Sequence, residues 1–300
     1  MSAERRASGL ILIAASGYAM LAIGTGLAAR DGVSLPTLMA WRYALAAPLL
    51  ALIAGAAAFR VPWRRALPLL VLGGGGQSLV TWLSLSALEW LPAAALGFLF
   101  YTYPAWVAIF AAVTGLERLT ALRVGALAVA LVGITLMVGL PWASTLPLEG
   151  VLRALGSAVV YALYIPMIHR LRGPLDAAAA STWIIGGAAI VFVLMATLSA
   201  SAGGFVANMT PRTWGIAIFL AGFSTVVAFI TFLHGLAVLG AVRTAILSTT
   251  EPFWTAVLAA LLLAQPIGPT TIAGGLCIVG AIVLLQRSTP APSVDAPAPT

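Results

Sequence analysis

The sequence predicts an α-helical integral membrane protein with ten transmembrane helices, arranged as two inverted five-helix repeats around a central cavity. Three observations lead to this fold class: an extreme apolar composition, long uncharged runs, and a pair of matching segments in the two halves. Of the 300 residues, 62% are hydrophobic and 8% are charged. Soluble domains carry about 25% charged residues, so a water-soluble chain of this length could not bury so much apolar surface.

Ten apolar runs are long enough to cross a hydrocarbon core, which takes about 20 helical residues. Glycine, proline and arginine separate these runs from one another. The first run follows two arginines like a signal peptide, but it exceeds the length of a signal h-region, and we interpret it as an uncleaved helix. The predicted helices cover residues 8–29, 35–58, 66–88, 92–114, 120–140, 150–168, 178–201, 211–234, 241–264 and 268–287.

The arginines predict the orientation of these helices. The chain has no lysine, and most of its 15 arginines fall at one predicted face of the membrane. Because cytoplasmic loops are enriched in positive charge, both termini are expected in the cytoplasm. Heavy use of alanine and glycine favours a bacterial source, and hence the inner membrane. The predicted organisation is a first repeat at 1–145, a second at 146–287, and a disordered cytoplasmic tail at 288–300.

Several function classes lack support in the sequence. The net charge of +7 is explained by arginines in cytoplasmic loops, so we expect no nucleic-acid partner. The single cysteine, Cys277, excludes an internal disulfide and a multi-cysteine metal site. An HExxH metal motif is absent, and a P-loop cannot form without lysine. We therefore expect no metal, no cofactor and no enzyme activity. The expected partners are a small-molecule substrate and the lipid bilayer, around a monomer or weak dimer.

Two short segments, 148 residues apart, place a proline in the middle of an apolar run: Tyr-Thr-Tyr-Pro-Ala-Trp at 101–106 and Thr-Thr-Glu-Pro-Phe-Trp at 249–254. Pro104 and Pro252 each free a backbone carbonyl four residues earlier. In a membrane, such a carbonyl is tolerated only where protein or a water-filled cavity covers it. The two prolines are therefore either fixed kinks or symmetry-related hinges. With five helices in each half, the second repeat is inverted, as in many secondary transporters.

Glu251 and Arg42 are the ionisable side chains that lie well inside predicted helices. Their estimated depths in the membrane agree to within about one helical turn. Charges at this depth are costly, so they pair with one another or mark a functional site. One interpretation is a buried ion pair that orients helices two and nine. In the other, both face the cavity, where Arg42 binds a substrate carboxylate and Glu251 binds an amino group or a proton.

Further polar and aromatic side chains recur at helical spacing. Gln77 and Thr81 share one face of helix three, and Tyr161 and Tyr164 share one face of helix six. A polar face meets either another helix, through hydrogen bonds, or a cavity. Aromatic residues near the helix centres fit a cavity for a flat apolar substrate, with plain packing as the alternative. These residues are Tyr18, Tyr101, Tyr103 and Trp254.

The chain resembles EamA-type members of the drug/metabolite transporter superfamily over nearly its whole length. The resemblance is carried by Trp41-Arg42-Tyr43, Tyr103-Pro104, the loop at 115–120 and Glu251-Pro252. It implies ten helices from a five-plus-five inverted duplication. It also implies export or import of amino acids and other small metabolites, and known members include exporters of aromatic amino acids. The sequence departs from the common pattern at Gln265, where an acidic residue often stands.

The function predicted from these features is that of a secondary active transporter working by alternating access. Export of amino acids, including bulky apolar and aromatic ones, is the leading hypothesis, because aromatic residues surround the expected cavity. Other cargoes remain open at this stage: nucleosides, sugars or cationic compounds. A channel and a membrane enzyme are the further alternatives.

Overall fold

The computed structural model describes residues 3–91, 93–115, 119–138, 146–199, 209–263 and 267–286, and all regular secondary structure in these ranges is helical. The predicted tail at 288–300 lies outside the described residues. A short helix, Ala56–Phe59, follows the second long one. The main helices are α1 (Ala3–Arg30), α2 (Leu35–Ala54), α3 (Trp63–Glu89), α4 (Ala93–Phe100 and Tyr103–Val113), α5 (Ala121–Val138), α6 (Leu148–Arg172), α7 (Ala177–Leu198), α8 (Pro211–Ser248), α9 (Glu251–Leu263) and α10 (Pro269–Gln286).

Within the described ranges, seven helices are long and apolar enough to cross a membrane, and three shorter apolar helices accompany them. The shorter ones lie in α5, α9 and α10. These elements match the ten predicted helices in order, while the number of membrane crossings stays a prediction.

The boundary predicted between the eighth and ninth helices, between 234 and 241, coincides with a break in the backbone at Gly240. Helical structure continues past 234 as far as this residue, so two helical segments meet there within the range labelled α8. Gly240 has φ 76° and ψ 174°, a conformation that a residue without a side chain adopts at little cost. Residues 241–248 therefore lie after the break at Gly240, in the place where the ninth helix was predicted to begin.

Helical structure is interrupted at both proline-containing segments. Helix α4 breaks at Tyr101 and Thr102, and α8 is separated from α9 by Thr249 and Thr250. These breaks are again 148 residues apart. We call them the first and second helix breaks.

Each break is capped in the same way by a threonine hydroxyl. Thr102 Oγ1 donates to the Leu99 carbonyl at 2.7 Å, and Thr250 Oγ1 donates to the Leu247 carbonyl at 2.9 Å. The prolines lie within the first turn of the helical segments that follow, where a missing backbone N–H costs little. Thr102 and Thr249 keep backbone angles in the α region, so each break is a local loss of helical hydrogen bonds next to a proline.

Two π-helical segments form a second corresponding pair. The first π segment, Leu72–Gln77, lies within α3, and the second π segment, Gly222–Val227, lies within α8. Hydroxyls bond to carbonyls five residues earlier in both regions: Ser78 to Gly73 at 3.4 Å, and Thr225 to Leu220 at 2.9 Å. A π segment carries one residue more than the α-helix would, and such segments occur often at functional sites.

The most extensive helix contacts join the first half of the chain to the second. They are α2 with α7, α5 with α10, and α1 with α8. Helices α3 and α7 come closest where Gly73 faces the backbone of Ile184 and Gly187 faces the backbone of Leu70. Small residues allow such close approach in membrane proteins.

Ion pairs also link the two halves at the ends of the bundle. Glu4 pairs with Arg243 at 3.4 Å, and Asp31 pairs with Arg212 at 3.3 Å. Arg153 lies 3.9 Å from Glu89 and 2.9 Å from Glu149. Arg243 is buried, whereas Arg212 is exposed, so the first of these pairs is better shielded from solvent.

The N-terminus of α7 provides a test of local helix stability. Asp176 caps this helix by accepting hydrogen bonds from the backbone N–H groups of Ala178 and Ala179, at 2.9 and 3.2 Å. Asp176→Ala is expected to lower the free energy of unfolding by about 1 kcal/mol, measured by denaturant titration in detergent. Asp176→Asn keeps a capping oxygen and serves as the control. Equal destabilisation by Asn and Ala would contradict this role.

Candidate functional site

The two helix breaks meet at the centre of the bundle. The Tyr101 hydroxyl, in the first break, lies near the carboxyl group of Glu251, which follows the second. Tyr103 reaches in the same direction: its hydroxyl contacts the Ser248 side chain and donates to the Ala245 carbonyl at 3.4 Å. The two segments singled out by their prolines therefore lie next to each other in the structure.

Aromatic rings surround this meeting point. Tyr103 and Tyr161 are in edge contact with ring centroids 4.8 Å apart, and Tyr161 stacks on Tyr164 at 6.2 Å. Phe100 contacts both Tyr101 and Tyr103, at 5.6 and 5.4 Å. All six tyrosines of the chain take part in this region, which we call the tyrosine cluster: Tyr18, Tyr43, Tyr101, Tyr103, Tyr161 and Tyr164.

Part of the tyrosine cluster is accessible. Tyr18 and Tyr161 are half-buried, as is Glu251, and both tyrosines lie close enough to interact electrostatically with that carboxyl group. Tyr18 also packs edge-on against Phe232, with centroids 6.2 Å apart. A carboxyl group and two aromatic rings, all half-buried, therefore lie near one another.

Tyr164 supplies an unused hydrogen-bonding group. Its side chain is buried, yet its hydroxyl has no hydrogen-bond partner among the described residues. Buried polar groups are nearly always paired with protein or with ordered water. A ligand or a water molecule in the tyrosine cluster would satisfy this hydroxyl.

The ion pair expected between Arg42 and Glu251 is not formed within the described part of the chain. The Nε of Arg42 donates to Thr225 Oγ1 at 2.7 Å, and Nη2 donates to the Ser224 carbonyl at 3.4 Å. The guanidinium also lies 4.6 Å from the ring centroid of Tyr43. Matching depths did not bring the two charges together, because Arg42 turns toward the second π segment and Glu251 turns toward the first helix break.

Gln77 and Thr81 lie beside Tyr43, as neighbours on one face of α3. Gln77 Nε2 donates to the Tyr43 hydroxyl at 3.1 Å and to Thr81 Oγ1 at 3.3 Å. The hydroxyls of Tyr43 and Thr81 are 3.1 Å apart. The predicted polar face of α3 therefore meets α2 through hydrogen bonds.

Comparisons with known proteins place the chain in a family. Residues 5–139 and, separately, 148–287 match the EamA-like transporter family. The chain belongs to the EamA-like transporter family. A protein of known crystal structure, one of 29 matching chains, shares the fold with a TM-score of 0.76. The match covers 93% of this chain and 95% of the other at 22% identity, which establishes a common fold alone. No curated protein matches the sequence.

Two grooves of this EamA-like transporter lie along α1, away from the tyrosine cluster. One, of about 330 Å³, is lined by Arg6, Leu10 and His234 among others. The other, of about 290 Å³, includes Gly24 and Phe219. Trp254, predicted to border the cavity, packs its ring against Phe253 at 5.8 Å and is not in ring contact with the cluster in the described structure.

Three polar residues of the transporter that contact predicted site residues were not themselves predicted from the sequence: Ser224, Thr225 and Ser248. Ser224 and Thr225 interrupt an apolar run in α8, 150 residues after the glycines of the first π segment. The polar pair, at the position that corresponds to those glycines, was the feature from which this region could have been predicted. Ser248 immediately precedes the second helix break. Its proximity to Tyr103 depends on how two distant helices cross, which the sequence does not show.

Proposed function

We propose that this EamA-like protein is a secondary active transporter that moves small metabolites by alternating access. We further propose that it exports amino acids, particularly bulky apolar and aromatic ones, across the inner membrane. The observation that carries this proposal is the contact between Tyr101 and Glu251, where two interrupted helices meet among aromatic rings. Transporter substrate sites commonly lie at such discontinuous helices near the interface of the repeats.

The chemistry of the site fits a flat molecule that carries an amine. The Glu251 carboxylate would bind the ammonium group by a charge-assisted hydrogen bond, in place of Tyr101. The half-buried rings of Tyr18 and Tyr161 offer surface for offset or edge-on packing of an aromatic side chain. The Tyr164 hydroxyl, which lacks a partner in the described structure, would bond to a polar atom of the substrate.

A second candidate cargo is a cationic amine without a carboxylate. This alternative is favoured by the position of Arg42, whose guanidinium is bound to Thr225 and the Ser224 carbonyl. A carboxylate in the tyrosine cluster would then face tyrosine hydroxyls in place of a guanidinium. A cation, in contrast, would find both Glu251 and aromatic faces.

We also propose that the repeats, 1–145 and 146–287, have inverted topology with both termini in the cytoplasm. Support comes from the paired helix breaks and the paired π segments, which recur at nearly the same spacing along the chain. The orientation rests on the arginine bias. Pro104 and Pro252 begin the helical segments after the breaks, which makes the breaks suitable hinges for opening to alternate sides.

Counterflow in proteoliposomes tests this function and separates the two cargo classes. The most informative pair is L-phenylalanine and 2-phenylethylamine, which share a ring and an amine and differ in the carboxylate. Branched amino acids, a nucleoside and a sugar complete the panel. Saturable counterflow of phenylalanine is the expected result.

The other outcomes have distinct meanings. Counterflow of phenylethylamine alone would replace the amino-acid proposal with the cationic one. The absence of counterflow with every aromatic and branched amino acid would refute amino-acid export. Flux that neither saturates nor shows counterflow would indicate a channel.

A further inference from the structure

A continuous set of hydrogen bonds runs from the second π segment to helix α2. Thr225 Oγ1 accepts from Arg42 Nε at 2.7 Å and donates to the Leu220 carbonyl. Arg42 Nη1 then donates to the hydroxyl of its neighbour, Tyr43, at 3.3 Å. Because Arg42 and Tyr43 are consecutive residues of α2, the second repeat is bonded directly to this point of the first.

The same Tyr43 hydroxyl continues the chain to the first π segment. It accepts from Gln77 Nε2 at 3.1 Å and shares a hydrogen bond with Thr81 Oγ1 at 3.1 Å, in which either hydroxyl can donate. With Arg42, Gln77 and Thr81 as partners, the hydroxyl has its full set of three hydrogen bonds. Gln77 is the last residue of the first π segment. The two π segments are therefore connected through only two intervening side chains.

Burial of Arg42 and Tyr43 makes this connection rigid and keeps other partners away from the guanidinium. Arg42 is 2% exposed, and Tyr43 is fully buried and stacked on Phe192 with centroids 5.4 Å apart. Bonds around a buried charge hold their geometry strongly, because each lost bond leaves a polar group unpaired. A substrate carboxylate would have to displace these bonds to reach the guanidinium.

A π segment that converts to α-helix changes its hydrogen-bond register. The residues on one side then rotate by about 100° and shift by about 1.5 Å relative to those on the other. Such a conversion would turn Thr225 away from Arg42, or Gln77 away from Tyr43. The bonds described above therefore exist in one register of each segment.

We propose that Arg42 is a positioning residue that does not bind substrate, and that Arg42 and Tyr43 couple the two π segments so that both change register together. The coupling itself is independent of the proposed function. Only the suggestion that the coupled change is part of alternating access rests on that function. Coupling through a shared two-state element is the physical requirement for communication between distant sites. Here the elements are the two π segments, and the link is the Arg42–Tyr43 pair.

Fluorine NMR on the full-length protein in nanodiscs can test this coupling without any substrate. The only native cysteine is removed as Cys277→Ala. A trifluoromethyl label is then attached at Gly75→Cys in the first π segment or at Gly222→Cys in the second. Both positions face open space, so neither label meets a neighbouring atom within 4 Å of its Cβ. The spectra report the register of each segment as a resonance position or as a ratio of two resonances.

The decisive change is Thr225→Val, which removes the hydroxyl that Arg42 binds and keeps the side-chain shape. We expect it to alter the register equilibrium about tenfold at both reporters, since it breaks a buried bond to a charged group. Thr225→Ser should restore the wild-type spectra. Thr231→Val is the matched control, because the Thr231 hydroxyl bonds only to the Val227 and Ala228 carbonyls of its own helix within the described structure.

A change at the Gly222 reporter with an unaltered Gly75 reporter would overturn the coupling. If Thr225→Val fails to fold, Tyr43→Phe interrupts the same chain and keeps the ring that stacks on Phe192; it should alter the Gly75 reporter, and unaltered spectra would again refute the proposal. Because these measurements need no cargo, their failure is distinct from a failure of counterflow. Normal counterflow with uncoupled reporters would refute this inference alone.

Discussion

Replacing Glu251 by glutamine is expected to lower counterflow of the transported compound by about 10- to 100-fold. The loss corresponds to one charge-assisted hydrogen bond, worth about 1.5–3 kcal/mol. Glu251 is the one acidic side chain that the described residues place in the tyrosine cluster, where it begins helix α9. Glutamine keeps the size of the side chain and can still bond to Tyr101, so the fold should persist.

Two further variants serve as comparisons for the counterflow of Glu251→Gln. Tyr101→Phe removes the hydroxyl that lies near Glu251 and should reduce flux less than Glu251→Gln, because the carboxylate remains. Glu149→Gln removes an acid that pairs on the bundle surface with Arg153 and should leave flux within about twofold of wild type. Wild-type counterflow by Glu251→Gln reconstituted in liposomes would exclude Glu251 from both substrate binding and coupling.

Replacing Gly73 by alanine is expected to prevent correct packing of α3 against α7. A Cβ atom at Gly73 would overlap the carbonyl group of Ile184, and one at Gly187 would overlap the carbonyl of Leu70. Backbone atoms cannot move aside as a flexible side chain can. We therefore expect Gly73→Ala and Gly187→Ala each to lower the free energy of unfolding by at least about 3 kcal/mol.

The same helices supply matched controls. A Cβ atom at Gly75 or Gly186 would meet no atom within 4 Å. Alanine also has the higher helix propensity, by about 1 kcal/mol, so Gly75→Ala and Gly186→Ala should leave the protein as stable or more stable. Thermal unfolding in detergent, with the yield of monodisperse protein, measures all four variants. Equal stability of Gly73→Ala and Gly75→Ala would contradict the close helix approach.

The sequence was sufficient to locate the helix breaks and the residues around them. Pro104 and Pro252 occur at a fixed spacing in two otherwise apolar runs, and backbone freed by proline must be covered by protein. For the same reason, Glu251 and Tyr101 could be assigned to one site before any contact was known. Composition and the long uncharged runs together predicted a helical membrane protein, because soluble domains carry about 25% charged residues and a membrane-spanning helix needs about 20 apolar residues.

The partners of Arg42 could not be predicted, for a geometric reason. Helical spacing gives the depth of a side chain and the face on which it lies, but the rotation of the helix in the bundle decides which neighbour that face meets. Arg42 and Glu251 agree in depth and point to different partners. The π segments were equally inaccessible, since four consecutive glycines are compatible with both a close helix contact and a change of register.

The pairing of helices across the two halves has a consequence for how the protein is made. During synthesis, α1, α2 and α5 enter the bilayer before their main partners α8, α7 and α10 have been translated. Until the second half has been inserted, the packing faces of these early helices therefore contact lipid in place of their partner helices. We expect a chain that ends after α5 to be recognised as incomplete and degraded, and two separately expressed halves to accumulate only when they are produced together.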